Sequence, residues 1–435
     1  MAQWHNWSGS VVATPSNIER PRTSAALRSL VARAERVRVV GAGHSFMPLC
    51  ETEGLLLNLE EMGGELEICP DRESVWTPAG WPISRLTREL WRNGLSLSNQ
   101  GDIDKQAIAG AIATGTHGTG RTLGSISSFA LGFRLVIADG SLVECDAERE
   151  PELFQAARVG LGMLGVMERV RLAVVPAFRL RETLRRMPLV DILDQWDEVA
   201  ANHRHVEFFV FPYADHALLK ILDIVQEGDE PTPVDPSRAV FQAACDLVKL
   251  APGWAPTVQR LLARGIGSST RAAPAWSIFP SERDIRFEEM EGELPAAVGP
   301  DALRAAIAEV RRRRLPIIFP FEFRAVAGDD IWMSPMNAGP CVSISFHQYA
   351  KMPWAEAFAV VEAVFDAHGS RPHWAKRHTL TSADVLRLYP MAERWGEARR
   401  RVDPGGKFMN RHLRELFAFS LDHASHASAR AESVA

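Results

Sequence analysis

The stretch RVRVVGAGHSF, Arg36 to Phe46, drives a β-branched strand straight into a glycine turn and then presents a histidine. Glycines let backbone N–H groups converge on one anion without Cβ interference, so a turn of this kind suits a phosphate. Two common phosphate folds fail on detail. The third glycine position of a dinucleotide fingerprint holds Phe46, and the turn follows helix-then-strand rather than opening a βαβ unit. No Gly-Lys-Ser/Thr follows, which removes a Walker loop. A second glycine-rich stretch, QGDIDKQAIAGAIATGTHGTG from Gln100 to Gly120, changes what the pair can hold. Two such turns can grip both ends of a long anionic cofactor, although they suit close-packed bends at a sheet edge equally well.

The pattern around these turns is mixed. Leu27, Leu30, Val31 and Ala34 repeat at helical spacing behind an N-cap at Thr23 or Ser24. LLLNL at Leu55–Leu59 and SVWTPAG at Ser74–Gly80 read as strands, PISRLTRELWRN as a helix stopped by Gly94, and FALGFRLVIADGSLVE as a hairpin turning at Asp139 and Gly140. Beyond Pro176 the strand-like HVEFFVFP, ALLKIL, PIIFPFEFR and CVSISFH alternate with the helical DALRAAIAEVRRRR and PWAEAFAVVEAVFDAH. That predicts an antiparallel sheet backed by helices. The expected class is α+β in two domains, since 435 residues exceed one ordinary core. EGDEPTPVDPSR, Glu227 to Arg238, reads as a long loop, and the tail 421–435 as disordered. The run Arg311 to Arg314 reads as a solvated helix end complementing the dipole.

A net charge of -5 lacks the basic excess that nucleic acid requires. Five scattered cysteines without a CxxC pair suggest neither a disulfide framework nor zinc, and a reducing, cytoplasmic compartment fits. The start MAQWHNWSGSVVATP lacks the features of a signal peptide, and no transmembrane run is expected.

VVGAGHSF, AGAIATGTHGTG and LGMLGV (Leu161–Val166) together resemble the FAD-binding domain of vanillyl-alcohol oxidase-type flavoproteins. WHNWSG, FEFR (Phe321–Arg324) and HWAKRH (His373–His378) narrow the resemblance to the aldonolactone oxidoreductases and the related alditol oxidases. The resemblance implies a PCMH-type FAD domain over 1–176, a substrate-binding cap over 177–390, and a segment 391–420 returning to the FAD domain. It also implies that Gly41, Ala42, Gly43, His44, Ser45 and Phe46 wrap the FAD, with His44 bonded covalently to the flavin 8α-methyl. A neutral imidazole is a competent nucleophile, which agrees; a histidine merely hydrogen-bonded in a turn would leave the flavin extractable. Gly101, Asp102, Ala109, Gly110, Ala113, Thr114, Gly115, Thr116, His117 and Gly118 would serve the pyrophosphate and flavin edge. Gly165 and Val166 would pass the adenine and ribose, and His373 and His412 would approach the flavin.

In FEFR the strand period puts Glu322 and Arg324 on one face and Phe321 and Phe323 on the other. Such neighbours are often a structural ion pair. The resemblance places them in the substrate pocket, with Arg324 stabilising an alkoxide or enolate and Glu322 fixing it. It adds His347 as candidate general base, Lys376 as a charge stabiliser near the flavin, and Glu291 on the pocket wall. Gly292 stands where the family writes an aromatic, which would alter that wall. His373 and His378, five apart, fall on different faces if HWAKRH is helical, so no metal is expected. The implied reaction oxidises a CH–OH of a sugar lactone by hydride transfer to flavin, with dioxygen or another electron acceptor. A polyol substrate is the near alternative, and a flavin-binding protein without turnover is the non-enzymatic one.

Overall fold

The computed structural model describes residues 3–227, 237–265, 267–281, 284–337 and 339–421. The expected long loop, apart from its ends, and the expected disordered tail after Leu421 lie outside the described residues. Thr23 caps the first helix, Ser24–Arg33, its side chain accepting from the Ala26 N–H at 3.2 Å. The strand Val37–Val40 then pairs in parallel with Leu55–Asn58, which pairs in parallel with Asn17–Glu19. Leu27, Val31, Val37, Leu55 and Leu57 bury together under this small sheet. A five-stranded antiparallel sheet follows, built on the expected hairpin of Ala130–Val136 and Leu142–Asp146.

The C-terminal segment closes this half. The Lys407 ammonium donates to the carbonyls of Val31 at 2.7 Å and Ala138 at 2.6 Å, and the Asn410 amide donates to Pro48 at 2.7 Å and Glu51 at 2.9 Å. Trp374, Trp395 and Phe417 enter the same core as Ile83, Leu86, Phe133 and Val170. Buried Arg38 ties four segments, donating to the carbonyls of Leu49 (2.7 Å), Leu161 (2.8 Å), Gly162 (3.2 Å) and Phe408.

The second half is one eight-stranded antiparallel sheet, ordered 269–274, 179–188, 216–225, 205–210, 321–326, 341–349, 287–295 and 371–372. Its outer face carries Phe208, Phe321, Phe323, Ile344, Phe346 and Met290. The helices Gly299–Arg313 and Ala355–Ala367 cover that face, as the alternating pattern requires. Arg311 donates to the carbonyls of Pro212 and Ala214, while Arg312 and Arg313 pair with Glu309 at the surface. The basic run is therefore a solvated helix end.

Residues 116–123 run between the halves. Gly120 N–H donates to Ala325 O at 2.7 Å, and the His205 ring bonds Thr119 O at 2.8 Å. Gly118 allows this approach: a Cβ there would stand 2.4 Å from Gln100 O and 2.5 Å from Asn99 Oδ1. Gly118→Ala is expected to cost about 1–3 kcal/mol of stability, the usual range for overpacking, read as a shift in the denaturation midpoint.

Candidate active site

Two cavities open along this seam. The larger, about 310 Å³, is lined by Gly41, Ala42, Gly43, His44, Ser45, Ala109, Gly110, Ala113, Thr114 and Gly165. The smaller, about 50 Å³, gathers Gly101, Asp102, Thr116, His117, Glu291, Glu322, Arg324, His347, His373 and Lys376. His44 and Gln106 belong to both, so the histidine of the first turn stands where the cavities meet.

Five of the anticipated residues line neither cavity. Phe46 is buried against Trp7 and Phe287, and its N–H donates to Ala375 O at 2.7 Å. Gly115 ends a short helix at φ 77°, a left-handed geometry that favours glycine. Gly118 is the close-packed crossing already described. Val166 packs in the core with Val136 and Phe408, and the His412 ring lies 6.5 Å from that of His378. The alternation of the strand Val166–Ala173 explains Val166: its neighbour Met167 lines the cavity, and Val166 points away.

Several lining residues had been given no role. Arg38, Lys105 and Gly162 border the large cavity, and Glu289 and Phe287 the small one. Glu289 was legible: in FEEMEGELP a period of two puts Phe287, Glu289, Glu291 and Glu293 on one face. Gly292 lies on the other face, where a Cβ would meet Ser370 Oγ at 2.4 Å and Phe365 at 2.9 Å. The departure at Gly292 therefore shapes helix packing and leaves the pocket wall unchanged. HWAKRH forms a turn after the edge strand Arg371–Pro372 rather than a helix.

The large cavity fits an FAD. Its wall is made of small residues and strand-end amides, and the Arg38 and Lys105 cations border it. A Cβ on Gly110 would meet no protein atom within 4 Å, so this wall keeps open space beside it. His44 is pushed down to about 4, by burial first and the Lys376 ammonium second, so its imidazole is neutral at pH 7.

The small cavity is a web of compensated charges. Arg324 donates to Glu291 at 2.8 Å and to Ser345 at 2.8 Å, and approaches Glu322 at 3.8 Å. Burial would lower its pKa, but the Glu322, Glu291 and Glu207 carboxylates hold it charged. Lys376 bonds Glu289 and lies 3.8 Å from Glu291. Burial would raise Glu289, yet Lys376 and His347 hold it at about 2. His347 Nε2 lies 3.2 Å from Glu289, and its Nδ1 is buried with no hydrogen-bond partner. His373, lowered to about 3 by burial, is neutral.

His117 carries two protons by geometry. Nδ1 faces the Gly118 carbonyl at 2.8 Å, and Nε2 faces Glu291 at 2.8 Å and Glu293 at 3.2 Å. Burial would lower its pKa, but the Glu293 and Glu291 carboxylates outweigh that and raise it to about 10. His117, Glu291 and Glu293 bring ligand atoms within 4.8 Å of one another, close enough for a metal. The imidazolium faces both carboxylates, and Arg324 adds a second cation on Glu291.

The charges continue across the sheet. Arg324 is the cross-strand partner of Glu207, which bonds Lys220 at 2.8 Å; Lys220 lies 3.7 Å from Glu182, which accepts from Arg271 at 2.7 Å. In the other direction Arg324 pairs across strands with Ser343, and Ser343 with Glu293.

Residues 170–416, more than half of the chain, match the D-arabinono-1,4-lactone oxidase family. The chain belongs to that family. Residues 10–146 match the FAD binding domain family, so this member of the lactone oxidase family is an FAD-dependent oxidoreductase. It is 37% identical to an L-gulono-1,4-lactone dehydrogenase of Mycobacterium tuberculosis, covering 95% of this chain and 98% of the relative. It is 30% identical to an alditol oxidase of a Streptomyces species, covering 94% and 98%. A solvent-stable cholesterol oxidase shares the fold, with a TM-score of 0.84 at 16% identity over 95% of this chain and 97% of that one. Among the described residues no helix is long and apolar enough to cross a membrane.

The raised His117 pKa makes a stability prediction for this lactone oxidase family member. Its contribution is complete below the ordinary 6.5, declines as pH rises, and is lost above about 10. The melting-temperature gap between wild type and His117→Asn is expected to narrow from pH 6.5 to pH 10 in calorimetric scans.

Proposed function

We propose that the protein oxidises a CH–OH group of a neutral sugar lactone, with dioxygen as electron acceptor. One observation carries the reading: a histidine, an arginine and a lysine line one small cavity that meets the larger one at His44. Bound FAD supplies the hydride acceptor, its N5. His347 supplies the base. Its ring lines the small cavity with Nε2 3.2 Å from Glu289, and it takes the substrate hydroxyl proton in this reading. Arg324 and Lys376 stabilise the developing negative oxygen, and Glu322 and Glu291 hold Arg324 in place.

Charge favours a neutral substrate. The small cavity is lined by four carboxyl groups, Asp102, Glu289, Glu291 and Glu322, against three cations, Arg324, Lys376 and His117. Arg324, Lys376 and His117 each already face a carboxylate, so no surplus positive charge awaits an anionic hydroxy acid. The identities of 37% to a lactone dehydrogenase and 30% to an alditol oxidase favour lactone over polyol.

His44 is the covalent attachment point in this reading: it is neutral and stands where the cavities join. In this reading residues 1–176 with 391–420 form the FAD domain and 177–390 the cap; the Lys407 and Asn410 contacts support the return of the C-terminal segment, while Trp374, Val385 and Tyr389 of the cap range pack into the FAD-domain core. Five free cysteines suit the cytoplasm.

Turnover of gulono-, galactono- and arabinonolactone against xylitol and sorbitol, followed by peroxide and by an artificial acceptor, tests the substrate. Lactone turnover is expected; turnover of polyols alone establishes the alditol reading. His347→Ala should lower kcat by about 10²–10⁴ with flavin retained. Acid precipitation should leave the yellow colour on the wild-type protein and release it from His44→Ala. Complete release from wild type would refute the covalent bond.

A further inference from the structure

The helical hairpin Ser237–Leu250 and Ala255–Gly265 has two apolar faces where burial needs only one. Ala244, Cys245 and Val248 pack inward against the cluster holding Phe46, Phe287 and Tyr349. Val240, Ala243, Leu247 and Leu250 repeat at i, i+3, i+7 and i+10, which is a second stripe, and all four are exposed. Leu250 is 82% exposed and Trp254, at the tip beside Pro252 and Gly253, is 58% exposed. Leu261 on the second helix is 60% exposed. Of the eleven exposed large hydrophobic residues among those described, five lie on this hairpin. Scattered surface apolar residues need no explanation, but a periodic stripe ending in a tryptophan does.

Charge indicates what covers it. The hairpin carries Arg238, Lys249, Arg260 and Arg264 against Asp246 alone, a local balance of +3 on a chain of net charge -5, and +2 once Asp284, which pairs with Arg238, is counted. Lys249, Arg260 and Arg264 are exposed. A second copy docked about a two-fold axis would oppose these like charges. An anionic lipid surface attracts them while its acyl boundary takes the apolar stripe, and tryptophan prefers that boundary.

We propose that this hairpin docks the protein on an anionic membrane surface, lying in the interface without spanning it. The inner face of the same hairpin packs on Phe46 and Phe287, and Phe287 lines the small cavity. Docking therefore brings this wall of the active site toward the bilayer.

The test is cosedimentation of the full-length flavoprotein with vesicles of phosphatidylglycerol and phosphatidylcholine, beside vesicles of phosphatidylcholine alone. Binding to the anionic vesicles is expected to be at least tenfold stronger, and to fall at least tenfold in a Leu250→Glu, Trp254→Glu double variant. Arg260→Glu with Arg264→Glu leaves the apolar stripe intact and should weaken only the anionic binding. Flavin content and melting temperature confirm that each variant is folded. Absence of sedimentation with either vesicle, or equal sedimentation of wild type and both variants, overturns the proposal. So does a lipid-free dimer, seen by analytical ultracentrifugation, that the first double variant dissolves.

Discussion

Arg324 is the charge on which the site depends. Its guanidinium is buried on the sheet face opposite the phenylalanines, and an isolated ion there would be prohibitively costly. The cost is met by a row of partners along the cross-strand register: Glu207 on one side, Ser343 on the other, and Glu291 within hydrogen-bonding distance. Glu207 in turn requires Lys220, and Lys220 lies between Glu207 and Glu182. Removing one member strands its neighbour, which is why such rows fix geometry more effectively than they add stability. The row also explains why the cap sheet has one face of phenylalanines and one of ions.

The same compensation governs protonation. Lys376 and His117 are each held by carboxylates from the strand Phe287–Pro295, whereas His44 and His373 have burial as their dominant influence and stay neutral. Buried histidines thus divide into a cation that locks the seam and neutral rings available for covalent or base chemistry. His347 lies on the same sheet face as Glu289, its Nε2 3.2 Å from that carboxylate.

Local rules carried much of the fold. The Thr23 cap, the Asp139–Gly140 hairpin and the two-faced FEFR strand follow from spacing alone. Glu289 obeyed the same alternation and was missed because a run of glutamates reads as a solvated edge. Arg38 could not be recognised, since its four carbonyl partners come from segments up to 370 residues away. Gly118 and Gly115 sit inside the glycine-rich motif yet serve packing and helix termination, because glycine answers a backbone demand whether or not a ligand is near. The turn at Gly41 to Ser45 lines the cavity, and the charge pattern of the smaller one emerges only when residues as distant in sequence as His117 and Glu291, 174 apart, meet.

The most direct measurement is anaerobic reduction of the bound flavin, followed by its visible absorbance, on mixing with an aldono-1,4-lactone or with its ring-opened hydroxy acid. A site with every cation already paired predicts rapid bleaching by the neutral lactone and none by the anion at the same concentration. Bleaching by the hydroxy acid as fast as by the lactone, or by neither, would contradict the account.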